Sequence, residues 1–394
     1  MNNDRWLLPE GIEEVLPQRA RQLEQLRRKL LDMYDSWGYD LVMPPFIEYL
    51  ESLLTGTGND LDLQTFKLTD QLSGRLMGVR ADMTPQVSRI AAHHLKQNTP
   101  LRLCYMGTVL KTRPNSFAGS RSPLQLGAEL YGHSGIESDV EILCLMLETL
   151  QQAGIRQPYL DLGHVGIYRS LVQQAGLNKS QEETLFDALQ RKARTEIEHY
   201  LAEWKLPANV SKMLLALIDL NGGDNVPSQA DIQLKAGNDS VKAALENLKQ
   251  VADALKKRLP DLNLHFDLAE LRGYNYHTGV VFAAYVAGCG QSIAQGGRYD
   301  DIGEIFGNAR PATGFSTDLK ILINEANNIS KKATPIPAAI FAPADNSTEL
   351  SQFIQTLRQQ GKRVIQALPG QTGSAKEMGC DQEIIFSQSE WKIK

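Results

Sequence analysis

Histidine and cysteine are the residues whose chemistry depends most on spacing, and here the spacing excludes several reactions. The seven histidines form no H-E-x-x-H pair. The adjacent His93 and His94 point to different faces of a helix, so no metal site is expected. Cys104, Cys144, Cys289 and Cys380 lie far apart with no C-x-x-C. That pattern fits neither a disulfide framework nor a zinc site, and a reducing, cytoplasmic location is expected. Neither a Walker A sequence nor G-x-G-x-x-G occurs, so the sequence offers no glycine loop for a phosphate and implies no cofactor.

The chain as a whole narrows the field further. Its 394 residues suffice for two or three domains, and 42% hydrophobic with 22% charged residues is ordinary for a globular protein. A net charge of −5 leaves no electrostatic footprint for nucleic acid, so tRNA is not an expected partner. The first fifteen residues hold no apolar signal segment, and the weakly polar stretch 279–290 is too short to cross a bilayer. No membrane association is expected.

The elements that must position any site can be read from periodicity. Leu16, Leu23, Leu26, Leu30, Met33 and Trp37 recur at helical spacing, which predicts a long amphipathic helix over 13–37 ended by Gly38. Residues 39–46 read as a strand broken by Pro44 and Pro45. Strands are predicted at 64–68, 76–80, 101–110 and 124–131, and helices at 83–96 and 137–153. From 167 to 259 helix formers dominate, giving a helical inserted domain between a core of 1–166 and 260–330. Strands return at 262–268 and 279–286, and GGRYDDIGEIF opens a turn and short helix. Residues 331–394 read as a small strand-helix-strand segment with six basic and six acidic residues after Thr334. The order predicts an α+β fold on a mainly antiparallel sheet.

Five stretches, in order, carry a resemblance. GYDLVMPPFIE resembles motif 1 of class II aminoacyl-tRNA synthetases, a helix, strand and proline at a dimer interface. VRADMTPQVSRIAA, LQLGAELYG, LRGYNYHTGVVF and QGGRYD resemble the amino-acid-binding segments of histidyl-tRNA synthetase. The resemblance covers roughly residues 1–325. It implies that Asp82 (glutamate in the synthetases), Thr84 and Gln125 hold an α-amino group. Glu129 stands where an acceptor for the imidazole N–H is expected. Arg272 matches the arginine facing carboxylate and phosphate, and Tyr299 a tyrosine lining the pocket. His277 replaces the second tyrosine of Y-Y-T-G, the one that would touch the imidazole. The same residues also admit another reading, an inherited polar network that satisfies itself within the sheet.

The departures concern ATP. Where motif 2 reads F-R-x-E, this chain has Val109, Leu110, Lys111 and Thr112. Leucine makes no bidentate contact with phosphate. Where motif 3 reads G-F-x-x-G-x-E-R, Asp318, Lys320 and Ile321 replace the second glycine, the glutamate and the arginine. Each preorganised donor lost typically costs about 10²–10³ in rate. The resemblance therefore implies a retired synthetase, with a C-terminal segment too short for the family's anticodon-binding domain. The related family with those properties is the regulatory subunit of ATP phosphoribosyltransferase, the first enzyme of histidine biosynthesis. It implies a homodimer through motif 1, a hetero-octamer with the short-form catalytic subunit, and L-histidine as effector. Two enzymatic alternatives stand beside it. A divergent active synthetase would draw phosphate ligands from Lys111, Arg113 or Arg121. Another amino-acid-activating paralogue would meet the same need.

Overall fold

The computed structural model describes residues 6–394 except 56–58, 96, 98, 115–118, 272, 275, 303–306, 308 and 331–338. Two units result, one ending at Lys331 and one over Lys332–Lys394. The strands of the first are β1 (Asp40–Val42), β2 (Ile47–Tyr49), β3 (Phe66–Thr69), β4 (Leu76–Val79), β5 (Leu101–Thr108) and β6 (Leu124–Tyr131). They continue as β7 (Tyr159–His164), β8 (Asn221–Gly222), β9 (Asn263–Asp267), β10 (Val280–Tyr285), β11 (Ala294–Arg298) and β12 (Ala312–Asp318). Nine of them form one sheet in the order β1-β5-β6-β12-β11-β10-β7-β9-β8, antiparallel except at β1–β5 and β7–β9. Strands β2, β4 and β3 make a smaller sheet. The fold is α+β.

One face of the large sheet is dry. The helix Pro17–Ser36 begins later than its apolar repeat because Pro17 suits the first helical turn, where its missing N–H is no loss. It ends at Gly38, whose φ of +76° is open to glycine. Leu30, Tyr34 and the neighbouring helix Ile136–Gln152 cover Leu126, Ala128 and Leu130 of β6. The second helix is buried nearly all round because the 239–258 helix packs on its other side.

The segment 167–259 differs from its sequence reading. Its helices start already at Val165, and Asn221–Gly222 adds a short strand to the large sheet. Leu185, Ile197, Leu214, Leu248 and Leu255 belong to the same apolar cluster as the sheet residues Leu160, Phe266 and Phe282. The segment is therefore continuous with the core. Strands β2, β7, β11 and β12 were not anticipated, and β11 takes Gly296–Arg298 into the large sheet where the sequence reads as a turn. Those central in the sheet lack strict alternation because both of their faces are covered. The short helix expected within GGRYDDIGEIF falls largely on residues outside those described.

The second unit holds β13 (Ala339–Ala342), the helix Thr348–Gln359, β14 (Arg363–Gln366), β15 (Gln382–Ser387) and β16 (Glu390–Ile393). Its sheet order is β14-β13-β15-β16, with parallel pairing of β13 to both neighbours. Leu350, Ile354, Leu357, Val364 and Ile384 form its core.

A buried ion pair ties β11 to the start of the 136–152 helix. Arg298 pairs with Asp139 at 3.0 Å and donates to Ser138 Oγ at 2.7 Å and to the carbonyls of His133 and Gly135, both at 3.2 Å. Both side chains are nearly inaccessible, so neither charge is stable without the other. Arg298→Met should cost about 3–5 kcal/mol in denaturant unfolding. A loss below about 1 kcal/mol would mean that water reaches the pair.

Candidate functional site

The second face of the large sheet carries the site. Gln125, Gly127, Glu129 and Tyr131 alternate with the core residues of β6, as the two-residue strand period requires. Glu129 is 1% exposed. Its carboxylate accepts from Tyr105 Oη at 2.9 Å, from Thr84 Oγ1 at 3.1 Å and from Tyr299 Oη. Burial penalises the charged form and, against those three hydroxyls, pushes its pKa up to about 8. Two glycines make the arrangement possible. Gly314 opposes Glu129 in register, and a Cβ there would fall within its carboxylate. Gly127 opposes Tyr105 and leaves room for the phenol.

The amine end is built by the turn before the helix Thr84–His93. Asp82 Oδ1 accepts from Thr84 N at 3.0 Å and from Gln125 Nε2 at 2.8 Å. Gln125 Oε1 takes Met83 N at 3.0 Å, which fixes the amide. The turn is also held from outside. Arg80 donates to Pro44 O at 2.7 Å and Gln86 to Pro45 O at 2.9 Å, so the motif 1 prolines brace it.

Gly273, Tyr274, Tyr276 and His277 form the remaining wall, and helices of the 165–258 segment hold it. Tyr274 meets the rings of Tyr168 and Phe186 at 5.3 and 5.4 Å and donates to Glu182. Arg169 lies over its ring and donates to the carbonyls of Tyr274 and His277, each at 3.1 Å. His277 stands edge-on to Tyr276, which lies against Tyr299 with 4.9 Å between ring centres. Asp82, Thr84, Glu129, His277 and Tyr299 thus line one cavity of about 410 Å³. Gln125 stands behind Asp82 rather than on the wall. Arg272 lies outside the described residues.

Asp318 and Lys320 of the motif 3 stretch, and Arg121, are engaged within the chain. Asp318 accepts from the N–H groups of Leu124 at 3.0 Å and Lys320 at 2.9 Å. Lys320 donates to Ser122 O at 2.8 Å and pairs with Glu13 at 3.3 Å, which also pairs with Arg19 at 2.7 Å. Arg121 donates to the carbonyls of Lys111 at 3.0 Å and Glu10 at 3.1 Å. It serves the chain itself, and Arg113 is exposed. Only Lys111 of the three candidate phosphate ligands lines the cavity.

Sequence reasoning missed Tyr105, Tyr276 and Phe186. The Tyr105–Gly127 pairing is a signal for the first, since a large ring facing a glycine fills the glycine's missing volume. Phe186 comes from a distant helix, and nothing local marks it.

The comparisons agree with this geometry. The histidyl-tRNA synthetase family matches residues 11–322, and the ATP phosphoribosyltransferase subunit HisZ C-terminal domain matches residues 337–394. An ATP phosphoribosyltransferase regulatory subunit of Thioalkalivibrio sulfidiphilus is 58% identical, covering 100% of this chain and 99% of that protein. The protein of the same name from Pseudomonas aeruginosa is 55% identical over 99% of this chain and 98% of its own. A Bacillus halodurans structure described as an ATP phosphoribosyltransferase regulatory subunit/histidyl-tRNA synthetase superposes with a TM-score of 0.84. It is 26% identical and covers 96% of this chain and 97% of its own. Histidyl-tRNA synthetase from Nostoc sp. PCC 7120, at 20% identity and a TM-score of 0.78 over 97% of this chain and 91% of its own, shares the fold. The chain therefore belongs to the family of ATP phosphoribosyltransferase regulatory subunits, built on the histidyl-tRNA synthetase fold.

Proposed function

We propose that this chain is a non-catalytic regulatory subunit of ATP phosphoribosyltransferase. It associates with the short-form catalytic subunit as a hetero-octamer, raises its activity and helps convey feedback by histidine, which binds in the cavity around Glu129. One observation carries the reading: the amino-acid cavity is open while the charges that replaced the ATP-binding set, Asp318 and Lys320, are spent on internal partners. A synthetase needs both halves. The divergent-synthetase alternative loses Arg121 as a phosphate ligand for the same reason. A homodimer through motif 1 is supported by the exposure of Leu41, Met43, Phe46 and Ile47 beside the edge strand β1. Binding of tRNA is not expected, given the charge-balanced C-terminal unit and the net charge of −5.

A subunit without chemistry of its own acts only through differential contacts with two states of its partner. Titrating this protein into a short-form catalytic subunit, with mass and rate followed together, should give a stable hetero-oligomer with raised activity. Histidine should inhibit that complex more strongly than the isolated catalytic subunit. No co-migration, or an unchanged rate and histidine response, would remove the regulatory reading.

The ATP side has its own test. Histidine-dependent ATP–pyrophosphate exchange should lie more than about 100-fold below that of a synthetase, since two phosphate-gripping arginines are absent. Exchange within tenfold would sink the non-catalytic reading.

Glu129 offers a third measurement. A buried carboxyl that lowers stability suits a binding group better than a structural one. In the folded chain Glu129 holds its proton up to about pH 8, against 4.5 for its ordinary value. Between those values the folded state binds more protons than the unfolded state, so stability falls as pH rises through that window. Glu129→Gln removes this titration. Its melting temperature relative to the parent should climb from about pH 5 to about pH 8.5. A constant difference over that range would show that Glu129 ionises normally.

A further inference from the structure

The hairpin of β15 and β16 runs past the sheet that carries it. Strand β13 is in register with Gln382 and Glu383 of β15. Beyond them, residues 385–387 have only β16 beside them, in register with 390–392. A two-stranded ribbon without further cover is marginal in water. Its turn adds little, since Gln388 and Ser389 hold left-handed φ of 53° and 63°, where asparagine and glycine are favoured. Phe386 lies against Trp391 with 5.1 Å between ring centres and is 61% exposed. Strand β16 ends the sheet order, and among the described residues no strand pairs with its outer side.

The backbone of that edge can be read from its inner side. Glu383 and Lys394 exchange both N–H···O bonds, at 3.0 and 2.8 Å. In an antiparallel pair such residues alternate with ones whose groups point the other way. Lys392 and Glu390 therefore also face β15, and the N–H and C=O groups of Trp391 and Ile393 point to the open side. A second β16 can join there only by opposing these outward residues to one another. Charge then selects the register. With Trp391 opposite Trp391 of a second copy, Glu390 lies opposite Lys392 in both directions. Glu390 and Lys392 already pair at 2.6 Å along the strand, so the four charges alternate in sign. A shift of two residues one way sets Lys392 against Lys392, and the other way Glu390 against Glu390. Opposite charges across strands stabilise, and like charges destabilise. The favoured register also brings the two Trp391 rings together, each backed by its own Phe386.

We propose that β16 is a self-recognition edge, through which two copies of this chain pair antiparallel with Trp391 on the two-fold axis. The strand has four residues, too few for the roughly 800 Å² per partner of a stable interface. It therefore supplies a second, reversible contact rather than the main one. A chain with one two-fold contact stops at a dimer, and two different ones carry assembly further. Such pairing stands apart from the regulatory reading and needs neither the catalytic subunit nor a ligand.

Light scattering on the full chain at rising concentration, with hydrogen exchange at the Trp391 and Ile393 amides, tests this. The side chains of Glu390 and Lys392 are 63% and 41% exposed, so reversing either charge leaves the fold intact. The parent should reach about twice the mass of Glu390→Lys or Lys392→Glu and protect both amides, which neither variant does alone. An equimolar mixture of the two variants should regain both mass and protection. There each lysine meets a glutamate across the interface, while each hairpin still carries two like charges, so no effect within one hairpin produces the rescue. Equal mass for the parent and both variants would overturn the proposal. Loss of mass in both variants without rescue on mixing would overturn it too, by giving the charges a role on another surface. Protection indifferent to concentration would show the edge to be covered within the chain, and protection gained only with an added catalytic subunit would give it to that partner. Either result also sinks self-pairing.

Discussion

A carboxylate buried in the middle of a sheet must be surrounded by donors or keep its proton, and the first unit is arranged around that demand at Glu129. Three elements each send a hydroxyl to it: Tyr105 from β5, Thr84 from the helix after Asp82, and Tyr299 from the end of β11. Glycine at 314 vacates the space that the carboxylate fills, and glycine at 127 admits the Tyr105 ring. None of these residues can be exchanged alone without leaving a polar atom unmatched or two atoms in one place. The hydroxyls do not fully offset burial, and the carboxyl remains a weak acid. That burial costs stability, and it keeps an acceptor at the bottom of the cavity.

The charged residues that stand where the synthetases carry motif 3 are satisfied within the chain. Lysine in place of glutamate at 320 would be a buried, unpaired charge. Glu13 and Ser122 resolve it, and Glu13 is in turn engaged by Arg19. Asp318 is satisfied by backbone N–H groups on either side of the β6–β12 pair. These bonds join the N-terminal segment to the strand pair.

The helices of 165–258 contribute most to the site through Tyr274. Held by Tyr168, Phe186, Glu182 and Arg169, it anchors the loop that carries Tyr276 and His277. Those partners lie on helices whose apolar faces continue the sheet's own core.

The sequence by itself determined the amphipathic helix ended by Gly38, the antiparallel core strands β5 and β6, and β13, the helix and β14 of the C-terminal unit, though not its strands β15 and β16. Each rests on a local period or a residue with a fixed backbone preference, and these act whatever the rest of the chain does. It also determined that the ATP arginines are absent, because leucine and isoleucine cannot donate a hydrogen bond in any fold. Only the tertiary structure decided that Glu129 holds three hydroxyls, that Arg121 faces inward, and that the helical stretch shares the sheet's core. It alone put Lys111 and Asp82 on one cavity wall. These facts depend on residues brought together from far apart in the chain, and a shifted pKa or a buried hydrogen bond arises only once solvent has been excluded between them.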